Sequence, residues 1–407
     1  MQLFYFNKKN KMKFSNRLSR ITEPQTIKMA KLTRSLKAEG VNIVDLSLGE
    51  PDFATPQHII AAANKAMEEG FTKYTPVAGI PDLRNAIVEK LKRDNNLHYA
   101  TENILVSTGA KQSLANVILC MIDKGDEVII PTPYWVTYSA LVNLAEGTVK
   151  HVSCGIDTDF KITPSQLEEA ITPATKMFIF SSPCNPTGSI YSKEELAALV
   201  QVFEKHPHVY IVSDEIYEYI NYVGKHFSIA SFSSVFDRVI VVNGFSKGYA
   251  MTGWRLGYIA APVELVQACE KYQSQYTSGA NSIAQKAGVA ALLGDMTPTY
   301  TMVEAYKLRR DYVIAALRNI PHVKCAMPDG AFYAFPDISA FFGKSYNGNV
   351  LQNDEDVAMY LLHEGHLTTV NGSAFGEPNC IRISYATNMD QLEEAMRRMT
   401  EALSKLV

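Results

Sequence analysis

Four segments of the chain place polar, glycine-rich residues directly after a short β-branched run, and they carry the side chains best suited to chemistry. They are Ser107-Thr-Gly-Ala-Lys-Gln112, Ser181-Ser-Pro-Cys-Asn-Pro-Thr-Gly188, Ser213-Asp-Glu-Ile-Tyr217 and Asn243-Gly-Phe-Ser-Lys-Gly248. Lys247 stands out because it follows a strand-like run instead of lying on a charged helical face. A buried lysine amine loses its proton readily and can form a Schiff base with a carbonyl. Eight residues on, Arg255 in Met251-Thr-Gly-Trp-Arg-Leu-Gly257 offers a planar fork that suits a phosphate dianion. Gly109-Ala110, opening a helical pattern, supplies free backbone N–H groups for the same kind of anion. Singly, each has an ordinary reading as a solvated lysine, an ion-paired arginine or a turn glycine. Their joint pattern is the specific signal.

Strand-helix alternation must position these groups. Ile104–Val106, Glu127–Ile130, Val149–Val152, Met177–Phe180, Val209–Val212 and Val239–Val242 read as strands, with helices near 110–122, 135–145 and 193–205. Such alternation predicts an α/β fold with a mostly parallel sheet covered by helices on both faces. Ligands bind such sheets at the carboxyl ends of the strands, where the four segments lie. A long polar helix near 298–319, followed by mixed elements ending in Ile381-Arg-Ile-Ser384, predicts a smaller α+β unit. Residues 21–60 and 300–407 are assigned to that unit, 61–299 to the large one, and 1–20 to a disordered tail.

Composition narrows the function classes. The chain has 407 residues, 47% hydrophobic, with 39 Lys plus Arg against 42 Asp plus Glu, a net charge of −3. No strong field draws it to nucleic acid or an anionic membrane. Its longest apolar runs are strand-length, short of the ~20 residues of a membrane span. Six cysteines, none in a C-x-x-C pair, read as reduced thiols of a cytoplasmic protein. The basic residues before Glu23 leave organellar targeting as the alternative location. No Walker motif, G-x-G-x-x-G or H-E-x-x-H occurs, so nucleotide and metalloprotease readings lose their support and no metal is expected.

The segment Gly244-Phe-Ser-Lys-Gly-Tyr-Ala-Met-Thr-Gly-Trp-Arg-Leu-Gly257 resembles the lysine signature of class I aminotransferases, fold type I enzymes that use pyridoxal 5′-phosphate. Ser47-Leu-Gly-Glu-Pro-Asp-Phe53, Tyr74-Thr-Pro-Val-Ala-Gly-Ile-Pro-Asp-Leu-Arg84, Pro131-Thr-Pro-Tyr-Trp135, Asn185-Pro-Thr-Gly188, Ser213-Asp-Glu-Ile-Tyr217 and Ile381-Arg-Ile-Ser384 resemble the same family, in its order. The resemblance spans residues 20 to 405. It implies that Lys247 links to the cofactor and serves as general base, and that Asp214 keeps the pyridine nitrogen protonated. Tyr217 and Asn185 would hydrogen-bond the ring oxygen, and Trp135 would stack on the ring. Gly109, Ala110, Lys111, Ser246 and Arg255 would hold the phosphate. Tyr74 would reach it from a neighbouring subunit, implying a homodimer with shared sites. Arg382 and Gly49 would hold the substrate α-carboxylate.

Within the family the chain is most similar to the bacterial and plant-type aspartate or aspartate/prephenate branch. Thr26 and Lys111 match positions that recognise a second carboxylate, which favours aspartate with 2-oxoglutarate. Prephenate, also a dicarboxylate, is the alternative, as is a broader aromatic or alanine preference. Carbon-sulfur lyases share the fold and cofactor and form a third, different class.

Overall fold

The computed structural model describes residues 12–407. Its large unit is built on a seven-stranded sheet, whose strands run in the order Ile104–Ser107, Gly257–Ala260, Val239–Gly244, Tyr210–Asp214, Thr175–Ser181, Glu127–Thr132 and Thr148–Ser153. Only Gly257–Ala260 is antiparallel to its neighbours. The parallel core arises because successive strand residues are apolar on both faces. Val106, Ile129, Phe178, Ile211 and Val241 enter one hydrophobic cluster, while Leu105, Val128, Met177, Val212 and Ile240 enter the cluster on the opposite face. A strand buried on both sides needs a crossover helix to return, and Ala110–Met121, Thr137–Leu144 and Lys193–Lys205 are among these. The last begins with a capping box, Ser192 accepting from Glu195 N while the Glu195 side chain receives Ser192 N–H.

Both chain ends meet in a second cluster. Val44 and Leu46 pack there with Met302, Val313, Phe332, Leu361, Ile383 and Met399. Val44–Asp45 pairs in parallel with Leu367–Thr368, and Ile381–Ser384 lies between Val370–Asn371 and Tyr333–Ala334 in an antiparallel sheet. Leu46 O accepts from Ser384 N at 2.8 Å, so the segment carrying Gly49 is fastened beside the strand carrying Arg382.

Of the tail expected over residues 1–20, positions 1–11 lie outside the described residues. Within the rest, Asn16–Arg20 forms a 3-10 turn capped by Ser15, and Arg20 Nη2 approaches Glu146 Oε1 at 3.1 Å. No helix among the described residues is long and apolar enough to cross a membrane.

Candidate active site

The carboxyl edge of the large sheet and the facing segments of the second unit enclose a cavity of about 460 Å³. Every expected site residue except Gly109 and Tyr74 lines it: Thr26, Gly49, Ala110, Lys111, Trp135, Asn185, Asp214, Tyr217, Ser246, Lys247, Arg255 and Arg382. Gly109 adjoins it, since a Cβ built there would meet the Arg255 guanidinium at 2.6 Å. Glycine at that position, with φ +82°, is what lets the arginine lie against the backbone. Tyr74 is not brought to the cavity. It is 99% exposed, without a cover from its own chain.

Lys247 is part-buried, and its Nζ donates to Gly49 O. Burial pushes its ammonium down to about 8, against the pull of Glu50; Arg382 and Arg255 push the same way as burial. Asp214 ends the strand Tyr210–Asp214. Its Oδ2 accepts from Tyr138 OH at 2.7 Å and its Oδ1 from Ile216 N at 3.3 Å. Burial raises this carboxyl to about 6 despite those two donors. The buried cavity floor thus carries an acid kept partly protonated and an amine kept partly neutral.

Two anion seats lie on the wall. At the first, helix Ala110–Met121 starts without a side-chain cap, leaving its leading amides free of helical carbonyl partners. Arg255 faces them from a left-handed backbone conformation, φ +54°, with Nη1 donating to Thr252 O at 2.9 Å and no carboxylate partner among the described ion pairs. At the second, Arg382 is buried with Nη1 donating to Asn185 Oδ1 at 3.0 Å and Nη2 to Ser47 O at 2.7 Å. Its Nε has no partner. An unpaired, buried donor on a permanent cation is costly unless an anion completes it. Tyr333 lies beneath that guanidinium, 4.6 Å from ring centre to Cζ, and its hydroxyl meets Tyr217 OH at 2.8 Å. Lys111 Nζ sits 5.0 Å over the Trp135 ring. Its amine is lowered by burial and by Arg255.

Tyr138 and Tyr333 are site residues missing from the sequence expectations. Tyr138 follows Trp135 by three residues into the helix Thr137–Leu144, one turn on, so its reach to the same pocket was available as helical spacing. Tyr333 sits in a two-residue strand among core aromatics and carries no comparable signal.

The Asp214 carboxyl gives a stability prediction. Its folded-state value lies above the ordinary 3.8, so its contribution is present at low pH and is lost as pH rises through about 6. In the cofactor-free protein this amounts to roughly 3 kcal/mol across that window. Asp214→Asn should therefore be more stable than the parent at pH 7 and lose that advantage near pH 4, as read by denaturant unfolding at both pH values.

A mostly parallel α/β fold with an amine, an acid and two anion seats at the sheet's carboxyl edge suits an enzyme acting on anionic amines or carbonyls. The model of the family described as aminotransferase class I and II matches residues 41–399, and the chain belongs to that family. It is 46% identical to an aspartate/prephenate aminotransferase of Nitrosomonas europaea, over 97% of this chain and 100% of that protein. It is 43% identical to a bifunctional aspartate aminotransferase and glutamate/aspartate-prephenate aminotransferase of Petunia hybrida, over 96% of this chain and 82% of that one. The crystal structure of the aspartate aminotransferase from Rhizobium meliloti superposes with a TM-score of 0.95 at 41% identity, covering 97% of this chain and 100% of that chain. An aspartate aminotransferase from Thermus thermophilus with maleate gives 0.91 at 37% identity, covering 96% and 100%.

Proposed function

We propose that this aminotransferase moves the amino group of L-aspartate to 2-oxoglutarate, giving oxaloacetate and L-glutamate, with pyridoxal 5′-phosphate as cofactor. The observation that carries the reading is a single cavity lined by both the buried Arg382 and Lys111, together with Thr26. A dicarboxylic acid can engage both. Maleate, seen with the Thermus relative, is also a dicarboxylate.

The residues fit the cofactor. The uncapped amides of Ala110 and Lys111 next to Gly109, the Ser246 hydroxyl and the unpaired Arg255 suit a phosphate. Asp214, buried and pointing to the cavity, suits a cationic ring nitrogen, which would also favour its ionised form. When bound, the cofactor supplies a ring that accepts the electron pair released at the substrate Cα. Trp135 would cover the ring face and exclude water, while Asn185 and Tyr217 orient its oxygen. Arg382, with the Gly49 backbone, clamps the α-carboxylate, and that fixes the Cα–H bond toward Lys247. The Lys247 amine, neutral above about 8, takes the proton at Cα and returns it on the other side of the transfer.

Tyr74, bare in the single chain, is assigned to the site of a second copy, so the working form is a homodimer with shared sites. A cytoplasmic location accords with the absence of a spanning helix among the described residues and with six unpaired cysteines. A second substrate, prephenate, is favoured by the apolar groups Ile27, Ala30 and Leu48 on the cavity wall beside Thr26, which would accept a ring between two carboxylates.

Lys111→Ala separates these features. It should lower kcat/KM for aspartate by roughly 10²-fold, the worth of a charge-assisted bond of ~3 kcal/mol, and leave alanine nearly unchanged. Equal losses for both amino acids remove the recognition role. Specificity constants for aspartate, prephenate, tyrosine and alanine then rank the substrates directly. Aspartate given without an oxo acid should produce one half-turnover and stop, whereas a lyase continues.

A further inference from the structure

Beneath the cavity lies a set of buried charges that the transfer chemistry does not use. Helix Pro81–Asn95 sends Lys90 under the sheet edge, where its ammonium pairs with Glu218, the two side chains being 1% and 4% exposed. Glu218 Oε1 also accepts from Asn243 Nδ2 at 2.8 Å, and its Oε2 from Asn95 Nδ2 at 3.0 Å. Lys90 Nζ donates as well to Asn95 Oδ1 at 2.8 Å. Asn243 Oδ1 in turn accepts from Gly244 N at 2.7 Å, at the start of the loop that carries Lys247. On the other side, Glu215 directly follows Asp214. Its Oε1 accepts from Ser213 Oγ at 3.0 Å and Ser228 Oγ at 2.5 Å, and its backbone N donates to Val242 O at 2.8 Å. His226 Nε2 stands 3.0 Å from Glu215 Oε2, near enough for a charge pair though not aligned as a hydrogen bond. Burial opposes a charge on His226, yet the Glu215 carboxylate raises its imidazole above the ordinary range. Tyr219 completes the underside, donating to Asp94 Oδ2 at 2.6 Å and receiving Tyr249 OH at 3.3 Å.

We propose that Lys90, Glu218, Asn243 and the Glu215–His226 pair are positioning residues, a buried frame that sets the separation and orientation of Asp214 and Lys247. The frame rests on the reading of Asp214 as the partner of the cofactor's ring nitrogen and of Lys247 as the amine that moves the proton. Its geometry supports this role because Glu218, in the loop after Tyr210–Asp214, is bonded both to Lys90 and Asn95 of one helix and to Asn243 at the end of the strand Val239–Gly244, while Glu215 N bonds Val242 O of the same strand. Stability does not account for it. Removing two ions from water costs several kcal/mol each, and apolar replacements of a buried pair are often neutral or stabilising. What apolar packing lacks is direction, and a site reading a proton at one atom needs its groups held to fractions of an ångström. Glu215, Glu218 and His226 bring their ligand atoms within 4.8 Å of one another, a spacing that a metal ion would also accept. However, Glu218 already uses both oxygens on Lys90, Asn243 and Asn95, so the ammonium fills the place of the cation.

The test is the double variant Lys90→Met/Glu218→Met, which removes both charges together and leaves neither buried alone. Two readouts are taken. In the cofactor-free protein, hydrogen exchange at the amides of Glu215 and of Phe245–Lys247 should quicken by about tenfold or more while the unfolding midpoint stays level or rises, the behaviour of local opening. In the loaded enzyme, kcat should fall by about 10²-fold, the scale of a 1 Å misplacement, with KM for aspartate nearly unchanged. Wild-type exchange at those amides together with wild-type kcat overturns the proposal. Asn243→Ala is the second variant. It cuts the link from the frame to the Lys247 loop and keeps the ion pair, and it should reproduce the kcat loss and the faster exchange at Ser246 and Lys247. If it leaves both unchanged, the frame does not position the lysine. The exchange readout needs neither substrate nor cofactor, so an error in the substrate assignment would show in the parent enzyme's turnover and leave this readout intact.

Discussion

Lys247→Ala should yield a folded protein in which transamination from aspartate drops by about 10⁴-fold or more, the upper range for loss of a positioned acid–base group that here also anchors the cofactor. The loss falls on chemistry, because the side chain's one hydrogen bond can be given up without leaving a buried charge. Its Nζ has a single protein partner, the Gly49 carbonyl. Sign and magnitude for the fold follow from burial. The amine is held at about 8 against an ordinary 10.5, so its contribution is favourable above pH 10.5 and is lost as pH falls through 8. At pH 7 the buried ammonium therefore costs the cofactor-free chain roughly 3 kcal/mol, and the alanine variant should unfold at higher denaturant than the parent. The same value predicts that the parent takes up pyridoxal 5′-phosphate faster as pH rises, with a midpoint near 8, because only the neutral amine attacks a carbonyl. Turnover is read from oxaloacetate released per enzyme, uptake from the visible absorption of the bound cofactor. A variant that turns over near the parental rate without added amines removes Lys247 from the mechanism.

The parallel sheet was legible where its strands are continuous β-branched runs, because burial on both faces leaves no polar alternation to confuse them. Val239–Val242 and Met177–Phe180 are the clearest cases, and the structure extends them only to Gly244 and to Thr175 and Ser181. Gly257–Ala260 was missed, and its composition explains why: Gly, Tyr, Ile and Ala form no run. Its antiparallel place is set by two neighbours and not by its own residues. Glycine at 257 is needed there because a Cβ would meet Ala110 N at 2.3 Å, a contact only the folded chain reveals. The helix Ala110–Met121 was bounded to within a residue, since apolar spacing and an opening glycine act together. In the site, the segments 107–112, 181–188, 213–217 and 243–248 were legible because each sits at the end of one strand. The frame around Lys90 and Glu218 was not, for its members are separated by 128 positions and each alone resembles a surface charge. Tertiary burial, not local sequence, turns them into a pair.

Arg382→Lys should lower kcat/KM for both aspartate and 2-oxoglutarate by roughly 30- to 4000-fold, corresponding to 2–5 kcal/mol for disrupting a buried, hydrogen-bonded charge contact. A comparable loss with alanine, which lacks the second carboxylate, is the informative part. Both substrates carry a carboxylate beside the reacting carbon, so a residue that grips that carboxylate is felt in both halves of the reaction. Charge is retained in the variant, and geometry is what changes. Arg382 keeps one fork nitrogen on Asn185 and another on Ser47, with Nε free, and a single ammonium cannot reproduce that planar arrangement. Because Asn185 would lose its donor as well, the side chain expected to orient the cofactor oxygen should loosen, and part of the loss should appear in kcat in addition to KM. The stacking of the guanidinium on Tyr333 and Phe375 adds a second constraint that lysine lacks. Single-turnover rates with each substrate separate the two contributions. A variant whose losses appear with aspartate and 2-oxoglutarate but not with alanine, which has only the carboxylate beside the reacting carbon, would place Arg382 at the side-chain end of the substrate, and Lys111 would then have to hold the α-carboxylate.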